Sequence, residues 1–404
     1  MYLFLAGKYD IISRMKDHIS RFLDFREESF FLFGPRGTGK TTWLNDHLGD
    51  ALSINLLESD AYLKYSANPM HLRDVVEGCS SQTFIIDEIQ KVPSLLDVVH
   101  DLIEKHPDRR FILTGSSARK LKRTTGVNLL GGRALEVHMH PFMAAELGER
   151  FSLDEALMYG TLPVILKYKD KAAALASYLN LYIREEVQME GLVRNLDSFA
   201  RFLESASFSH GAMLSATDIS RECGVKRTTV DGFVEILEGL LIASRLPPFL
   251  RHAKRRLVAR DKFYFFDAGV YRCLRPKGVM DRPEEIAGMA LEGLVYQHLA
   301  AWRDYSGVQG GLYFWRTHQN HEVDFVVYTE YEFAAIEVKH TRNPSRSDFA
   351  GLKLFAADYP VARRILLYRG NEQYLEDGVL VVPVERFLVS LKPGHLLSDM
   401  FVKA

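Results

Sequence analysis

Residues Gly34-Pro35-Arg36-Gly37-Thr38-Gly39-Lys40-Thr41 fit G-x-x-x-x-G-K-[ST] at every fixed position. They follow the apolar run Phe30–Phe33 and open a stretch of helical length. A strand handed through glycines to a helix leaves few folds open. The glycines let backbone N–H groups point inward at close range, in conformations that a Cβ would obstruct. The next helix adds its positive end, so the loop is built to grip phosphate. A chance glycine-rich turn would not carry all the fixed positions in this context. The expected contact set is Gly34, Pro35, Arg36, Gly37, Thr38, Gly39, Lys40, Thr41 and Thr42. Lys40 reaches the β- and γ-phosphates of ATP, and the Thr41 hydroxyl ligates Mg²⁺.

The neighbouring sequence supplies what such a loop needs. Phe30–Phe33, Ala51–Leu56, Thr83–Ile86 and Arg110–Leu113 read as buried strands separated by helix-length stretches, the grammar of a parallel sheet covered on both faces. The third run ends in Asp87-Glu88. Two carboxylates at the end of a buried strand are costly unless they act at the ligand-binding edge of the sheet. Asp87 is expected to hold hydrated Mg²⁺, and Glu88 to polarise the attacking water. The fourth run ends in Thr114-Gly115-Ser116-Ser117. Thr114 or Ser116 then senses the γ-phosphate or places the water, with an ordinary hydroxyl-rich turn as the alternative. Arg133 reads either as an arginine finger, acting in its own chain or on a neighbouring copy, or as a plain surface arginine. A finger acting on a neighbouring copy would make the chain a homo-oligomer.

Beyond Pro141 the pattern turns helical, broken at Tyr159-Gly160-Thr161-Leu162-Pro163, as in a small lid. Thr217–Val225 reads as a capped short helix with a glycine turn, and Val230, Phe233, Val234 and Leu237 form the inner stripe of a second helix. In a helix-turn-helix that reads DNA, Lys226, Arg227 and Thr228 would lead into the groove, with the stretch to Phe266 as a wing. A packing module between domains is the equal alternative. From Leu241 to Met280 ten Lys/Arg face only Asp261 and Asp267, an excess of eight positive charges in a chain whose net charge is −1. That excess attracts phosphate backbones or is balanced by acids elsewhere in the fold.

Near the C-terminus, Ala334–His340 reads as a strand with Glu337 and Lys339 on one face and Ile336 and Val338 on the other. Asp324 sits in a separate strand able to pair by hairpin. Glu292 interrupts the apolar helical face of Leu291, Leu294, Val295 and Leu299. Acids and a lysine converging at a sheet edge suit Mg²⁺-dependent phosphodiester cleavage, with Asp324 and Glu337 as metal ligands and Glu292 and Lys339 beside them.

The three cysteines (Cys79, Cys223, Cys273) are scattered and match no metal-ligand spacing. This argues against a disulfide framework and for a reducing compartment. No apolar run reaches the roughly 18 residues of a membrane helix, and the first residues do not read as a signal peptide. The expected location is the cytoplasm, with no membrane partner.

In wording and order these motifs resemble the prokaryotic AAA-type ATPases that carry a C-terminal DUF4143 domain. The resemblance rests on Phe33–Thr42, Asp87-Glu88-Ile89-Gln90, Leu113–Ser117, Gly132-Arg133 ahead of His140-Pro141-Phe142, Lys262–Gly269, Tyr313–Arg316, Glu322–Phe325 and Ile336–Lys339. It implies an α/β protein: a P-loop ATPase core (1–141), a helical lid (142–197), a winged-helix segment (198–283) and a C-terminal domain (284–404) similar to the PD-(D/E)xK, restriction-endonuclease-like superfamily. That superfamily includes members decayed into binding scaffolds, so the resemblance leaves two readings. One couples ATP to a DNA-binding nuclease; the other is an ATP-dependent regulatory switch with a silent C-terminal domain. The lid departs from the family's Gly-Gly-x-Pro turn at Thr161.

Overall fold

Phe30–Phe33 (β1) is buried on both faces, Phe30 and Leu32 packing to one side of the sheet and Phe31 and Phe33 to the other. This is the two-sided burial that parallel strands require. β1 lies in a five-stranded parallel sheet with Leu52–Asn55 (β2), Thr83–Asp87 (β3), Arg110–Gly115 (β4) and Leu135–His138 (β5), in the order β2-β3-β4-β1-β5. β5 gave no strand signal in the sequence: Leu135 and Glu136 are exposed, so no apolar run marks it. The computed structural model describes residues 19–116, 134–183, 187, 195–252, 254–279, 281–397 and 399. Arg133 and Ser117 lie outside the described residues.

Short helices Leu153–Tyr159, Pro163–Leu166 and Lys171–Ser177 follow the sheet. The helix Leu196–Ser207 packs on the pair Ala216–Cys223 and Arg227–Gly239. Ser215 caps the first of that pair, and Gly224 ends it in the left-handed region at φ 65°. Val230, Phe233, Val234 and Leu237 are buried, as the helical spacing required. A three-stranded sheet of Ala212–Met213 (β6), Ala243–Leu246 (β7) and Lys262–Phe265 (β8) completes the middle segment in the order β6-β8-β7.

The C-terminal part begins with the helix Pro283–Ser306, 24 residues long and buried on most sides. It is started by Pro283 and ended by Gly307 in the left-handed region. A mixed six-stranded sheet follows: Gly310–Arg316 (β9), Glu322–Thr329 (β10), Phe333–Val338 (β11), Arg363–Tyr368 (β12), Tyr374–Glu376 (β13) and Val379–Pro383 (β14), ordered β13-β14-β12-β11-β10-β9. β10 and β11 form the expected antiparallel hairpin, with Phe325 opposite Ile336.

The stretch after β7 does not stand out as a free wing. Phe314 N donates to Pro247 O (3.1 Å), Phe249 N to Phe314 O (2.7 Å) and Val258 N to Arg316 O (2.9 Å). The stretch thereby covers the open edge of β9, where unpaired backbone groups would otherwise face water. One apolar core runs from Phe30 and Ile112 through the lid and helix pair to Leu291, Leu294 and Ile336. The long helix is a spine that touches each unit of the chain.

Candidate functional site

The phosphate loop joins β1 to the helix Lys40–His47. Gly37 and Gly39 take φ of 83° and 95°, the left-handed region that side chains disfavour, so the backbone can curl around an anion. Lys40 Nζ donates to the carbonyls of Gly34 (2.7 Å) and Pro35 (3.3 Å), and Thr38 Oγ1 donates to Pro35 O (2.8 Å). Arg36 and Thr42 are exposed at the loop.

The strand order places β4 between the loop strand and the acidic strand, and the side chains still meet. Thr41 Oγ1 lies 3.2 Å from Asp87 Oδ2. Thr114 Oγ1 donates to Asp87 Oδ1 and accepts from Glu88 N at 3.1 Å. Glu88 holds a left-handed φ of 60°, unusual for a residue with a side chain, and its carboxylate accepts from Gln90 Nε2. Gln90 also donates to Ser116 Oγ at 3.0 Å. A hydroxyl and a carboxylate this close are the hard oxygen donors that Mg²⁺ prefers, so Thr41 and Asp87 fit the ion.

Two links to this loop gave no sequence signal. Val164 N donates to Gly37 O at 3.2 Å, fastening the lid to the loop. Arg21, almost fully enclosed, donates to Thr38 O (3.0 Å), His140 O (2.6 Å), Tyr305 OH (3.1 Å) and Glu146 Oε1 (3.1 Å). His140 Nε2 also lies 2.7 Å from Asp304 Oδ2. Burial pushes the Asp304 carboxyl up, but His140 and Arg303 outweigh it and hold the group well below the usual carboxylate range. The end of the spine helix is thus locked beside the phosphate loop. Farther back along it, Gln297 Nε2 donates to Thr161 Oγ1 at 2.7 Å, the hydroxyl that a second glycine in the lid turn would lack.

In the C-terminal part Asp324 shares Lys262 with Glu292, and its charge reaches Glu337. Lys262 of β8 sits among the acids, 2.9 Å from Glu292 Oε1 and 3.6 Å from Asp324 Oδ1, and in closer contact with Glu322. Tyr264 OH donates to Glu292 Oε1 at 2.6 Å. Asp324 Oδ2 accepts from Val338 N at 2.8 Å, and Glu337 Oε1 pairs with Lys339 at 2.7 Å. Glu337 Oε2 is buried without a hydrogen-bond partner. Burial, then the Asp324 charge, drives the Glu337 pKa well up; burial raises Glu292 to about 7 against the pull of Lys262. Among the described residues no group of three or more His, Cys, Asp or Glu is placed to hold a metal ion. The orphaned oxygen of Glu337 suits a cation, but an ammonium already stands amid Glu292, Glu322 and Asp324, and the set as arranged does not fit a metal.

The basic stretch is also largely spoken for. Arg245 pairs with Glu238 (2.8 Å), Arg255 with Asp358 (2.8 Å) and Arg275 with Asp281 (2.9 Å), while Arg251 lies over the Tyr328 ring. Half of the excess positive charge counted in the sequence therefore meets an internal partner. Lys226, Arg227 and Thr228 remain exposed at the leading end of their helix. No helix among the described residues is long and apolar enough to cross a membrane.

Three family models match successive parts of the chain. Residues 26–148 match the family model described as AAA domain, residues 150–281 a domain of unknown function (DUF8612), and residues 287–387 another (DUF4143). Uncharacterized proteins of Mycobacterium bovis and Mycobacterium tuberculosis are each 26% identical over 378 residues, 91% of this chain and 82% of theirs. Among solved structures, the replication initiator DnaA bound to AMPPCP and single-stranded DNA aligns at 14% identity and a TM-score of 0.26, over 57% of this chain and 87% of that one. A protein from Vibrio cholerae aligns at 14% and 0.22, over 92% and 98%. Scores this low bear on neither fold nor function. The family matches, with the phosphate loop on its parallel sheet, support an AAA-type ATPase with a C-terminal DUF4143 domain.

Proposed function

We propose that the chain binds ATP with Mg²⁺ at Gly34–Thr42, hydrolyses it, and acts as a nucleotide-dependent switch whose C-terminal domain does not cleave nucleic acid. The observation that carries the ATPase reading is the approach of Thr41 Oγ1 to Asp87 Oδ2 at the mouth of the loop, with Glu88 one residue on. Bound there, Mg²⁺ would neutralise charge on the β- and γ-phosphates. The loop amides and Lys40 grip the phosphates, and Glu88 polarises the water. In an ATP titration Lys40→Ala is expected to abolish measurable affinity. Glu88→Gln should keep binding and lose roughly 10²-fold or more of phosphate release. Unchanged affinity in the first variant sinks the reading.

The pairing of Lys262 with Glu292, Glu322 and Asp324 favours the silent C-terminal domain. Labelled DNA incubated with Mg²⁺ or Mn²⁺ is expected to show the same background with wild type, Asp324→Ala and Lys339→Ala. Cleavage lost in the variants would restore the nuclease reading. The exposed Lys226, Arg227 and Thr228 support a DNA contact by the middle segment, tested by the salt dependence of binding before and after Arg227→Ala.

A further inference from the structure

Gln90 is buried at the C-terminal edge of the parallel sheet, two residues beyond Glu88. The register that pairs Ile86 of β3 with Leu113 of β4 brings Asp87-Glu88 and Thr114-Gly115-Ser116 out at the same edge. After β3 the chain makes one tight turn, Ile89–Lys91, closed by Lys91 N donating to Glu88 O at 2.9 Å. Ile89 anchors that turn in the apolar core. Gln90 then reaches across the two strand ends. Its amide carries two N–H bonds and one carbonyl oxygen. Nε2 donates to the Glu88 carboxylate and to Ser116 Oγ, the latter at 3.0 Å. Oε1 is buried without a hydrogen-bond partner and lies against Gly115, where a Cβ would stand 2.6 Å from it. A buried carbonyl without a partner is unfavourable, and folds keep few of them. A leucine would fill the same space without that defect, so packing alone does not account for the amide. The orphaned oxygen follows from aiming both N–H bonds elsewhere, one at the carboxylate and one at the neighbouring strand.

We propose that Gln90 is a positioning residue for ATP hydrolysis, fixing the Glu88 carboxylate at the end of β3 by tying it to Ser116 at the end of β4. The inference rests on the reading of Glu88 as the group that polarises water, and it supplies what aims that group. Glu88 keeps a left-handed φ of 60°, which a residue with a side chain holds only where its surroundings impose it. Thr114 Oγ1 takes the Glu88 N–H from the β4 side, and Gln90 takes the carboxylate. Asp87 has other partners, the hydroxyls of Thr41 and Thr114. The acid meant for the metal and the acid meant for the water are thus held by separate groups. With Oε2 of Glu88 engaged by Gln90, Oε1 is the oxygen left for the water. A base acts only when its oxygen lies within hydrogen-bond reach of the proton it takes, and small displacements from that geometry slow the reaction sharply.

The test is steady-state phosphate release with a parallel ATP titration of the full chain. Gln90→Leu fills the space and removes both N–H bonds. Its kcat is expected to fall roughly 10- to 100-fold while ATP affinity stays within about twofold of wild type. Gln90→Glu keeps the shape but offers no N–H to the carboxylate, and should be no faster than Gln90→Leu. Wild-type kcat in either variant overturns the proposal. So does an affinity that falls along with kcat, because it marks a general loosening of the loop. Should Gln90→Leu fail to fold, Gly115→Ala drives a methyl into Gln90 Oε1 and must give the same kcat loss at unchanged affinity. Wild-type kcat there is equally fatal. Glu88→Gln separates this inference from the reading beneath it. If that variant hydrolyses ATP at the wild-type kcat, both fall, since no base is left to aim. If it is slow and Gln90→Leu is not, only the role of Gln90 falls.

Discussion

Arg21 donates a hydrogen bond to the hydroxyl of Tyr305 at 3.1 Å, across 284 positions of sequence, while its other guanidinium nitrogens hold the Thr38 carbonyl of the phosphate loop and Glu146. The loop and the far end of the spine therefore share one buried cation. Arg21→Met leaves Glu146 enclosed without its counter-charge, and breaking a buried pair in this way costs about 3–5 kcal/mol. The expected result is a lower denaturant midpoint together with weakened ATP binding. Tyr305→Phe keeps the ion pair and loses one bond, about 1 kcal/mol. Equal losses in the two variants would show that the charge is not what matters.

Gly37 is constrained twice. Its φ of 83° disfavours any side chain, and a Cβ there would run into Cγ1 of Val164. Gly37→Ala thus carries a left-handed penalty of about 1–2 kcal/mol plus a clash with the lid. Nucleotide affinity should fall in an ATP titration. Adding Val164→Ala is expected to restore only part of it, because space returns and the backbone penalty stays. Full recovery would mean that the left-handed geometry of the loop is dispensable.

The hydroxyl of Thr161, in the lid turn, accepts from Gln297 inside the protein. Thr161→Ala strands the Gln297 amide, at a cost of about 1–3 kcal/mol, whereas Thr161→Ser keeps the partner. The double variant Thr161→Ala/Gln297→Leu removes both polar groups and should recover much of the loss. Urea midpoints of these three proteins check the order, and a Ser variant as unstable as the Ala variant contradicts it.

What the sequence disclosed followed from how local each signal is. The phosphate loop, Asp87-Glu88 and the stripe Val230–Leu237 are patterns within one element, and each stands where its spacing put it. The hairpin joining Asp324 to Glu337 was readable because strand period and a short turn fix it. Lys262 shows the opposite case. In the sequence it belongs to a basic run and reads as surface charge, while in the fold it is buried among acids that lie 30 to more than 60 positions away. Arg21 and Gln297 were silent for the same reason: a charge or an amide gains meaning from its partner, and the partners are set only when the spine docks. β5 had no apolar run to announce it, being half exposed at the sheet edge.

Docking of the spine also sets a pH dependence. His298 is buried with its Nδ1–H donating to Leu294 O and its Nε2 accepting from Ala144 N, both at 2.8 Å. Burial lowers its pKa to about 4 despite the Leu294 bond, and burial lowers that of His210 to about 3. The unfolded chain, whose histidines titrate near 6.5, therefore binds more protons than the folded one below that pH, and stability is lost as pH falls from about 6.5 toward 4. Asp267 works in the other sense: burial raises it to about 6 against three backbone N–H donors, so its contribution is lost as pH rises from about 4 to 6. Each histidine should cost about 2 kcal/mol between pH 7.5 and 5, while the buried carboxyls of Asp267, Glu292 and Glu337, all raised by burial, return stability over the same fall. The histidine contribution is therefore read as a difference in urea midpoint between wild type and a His298 variant at pH 7.5 and at pH 5. His298→Gln is expected to be weaker at pH 7.5 and to lose less on acidification, since its amide does not titrate. A variant with the full wild-type pH slope would show that His298 does not stay neutral inside the fold.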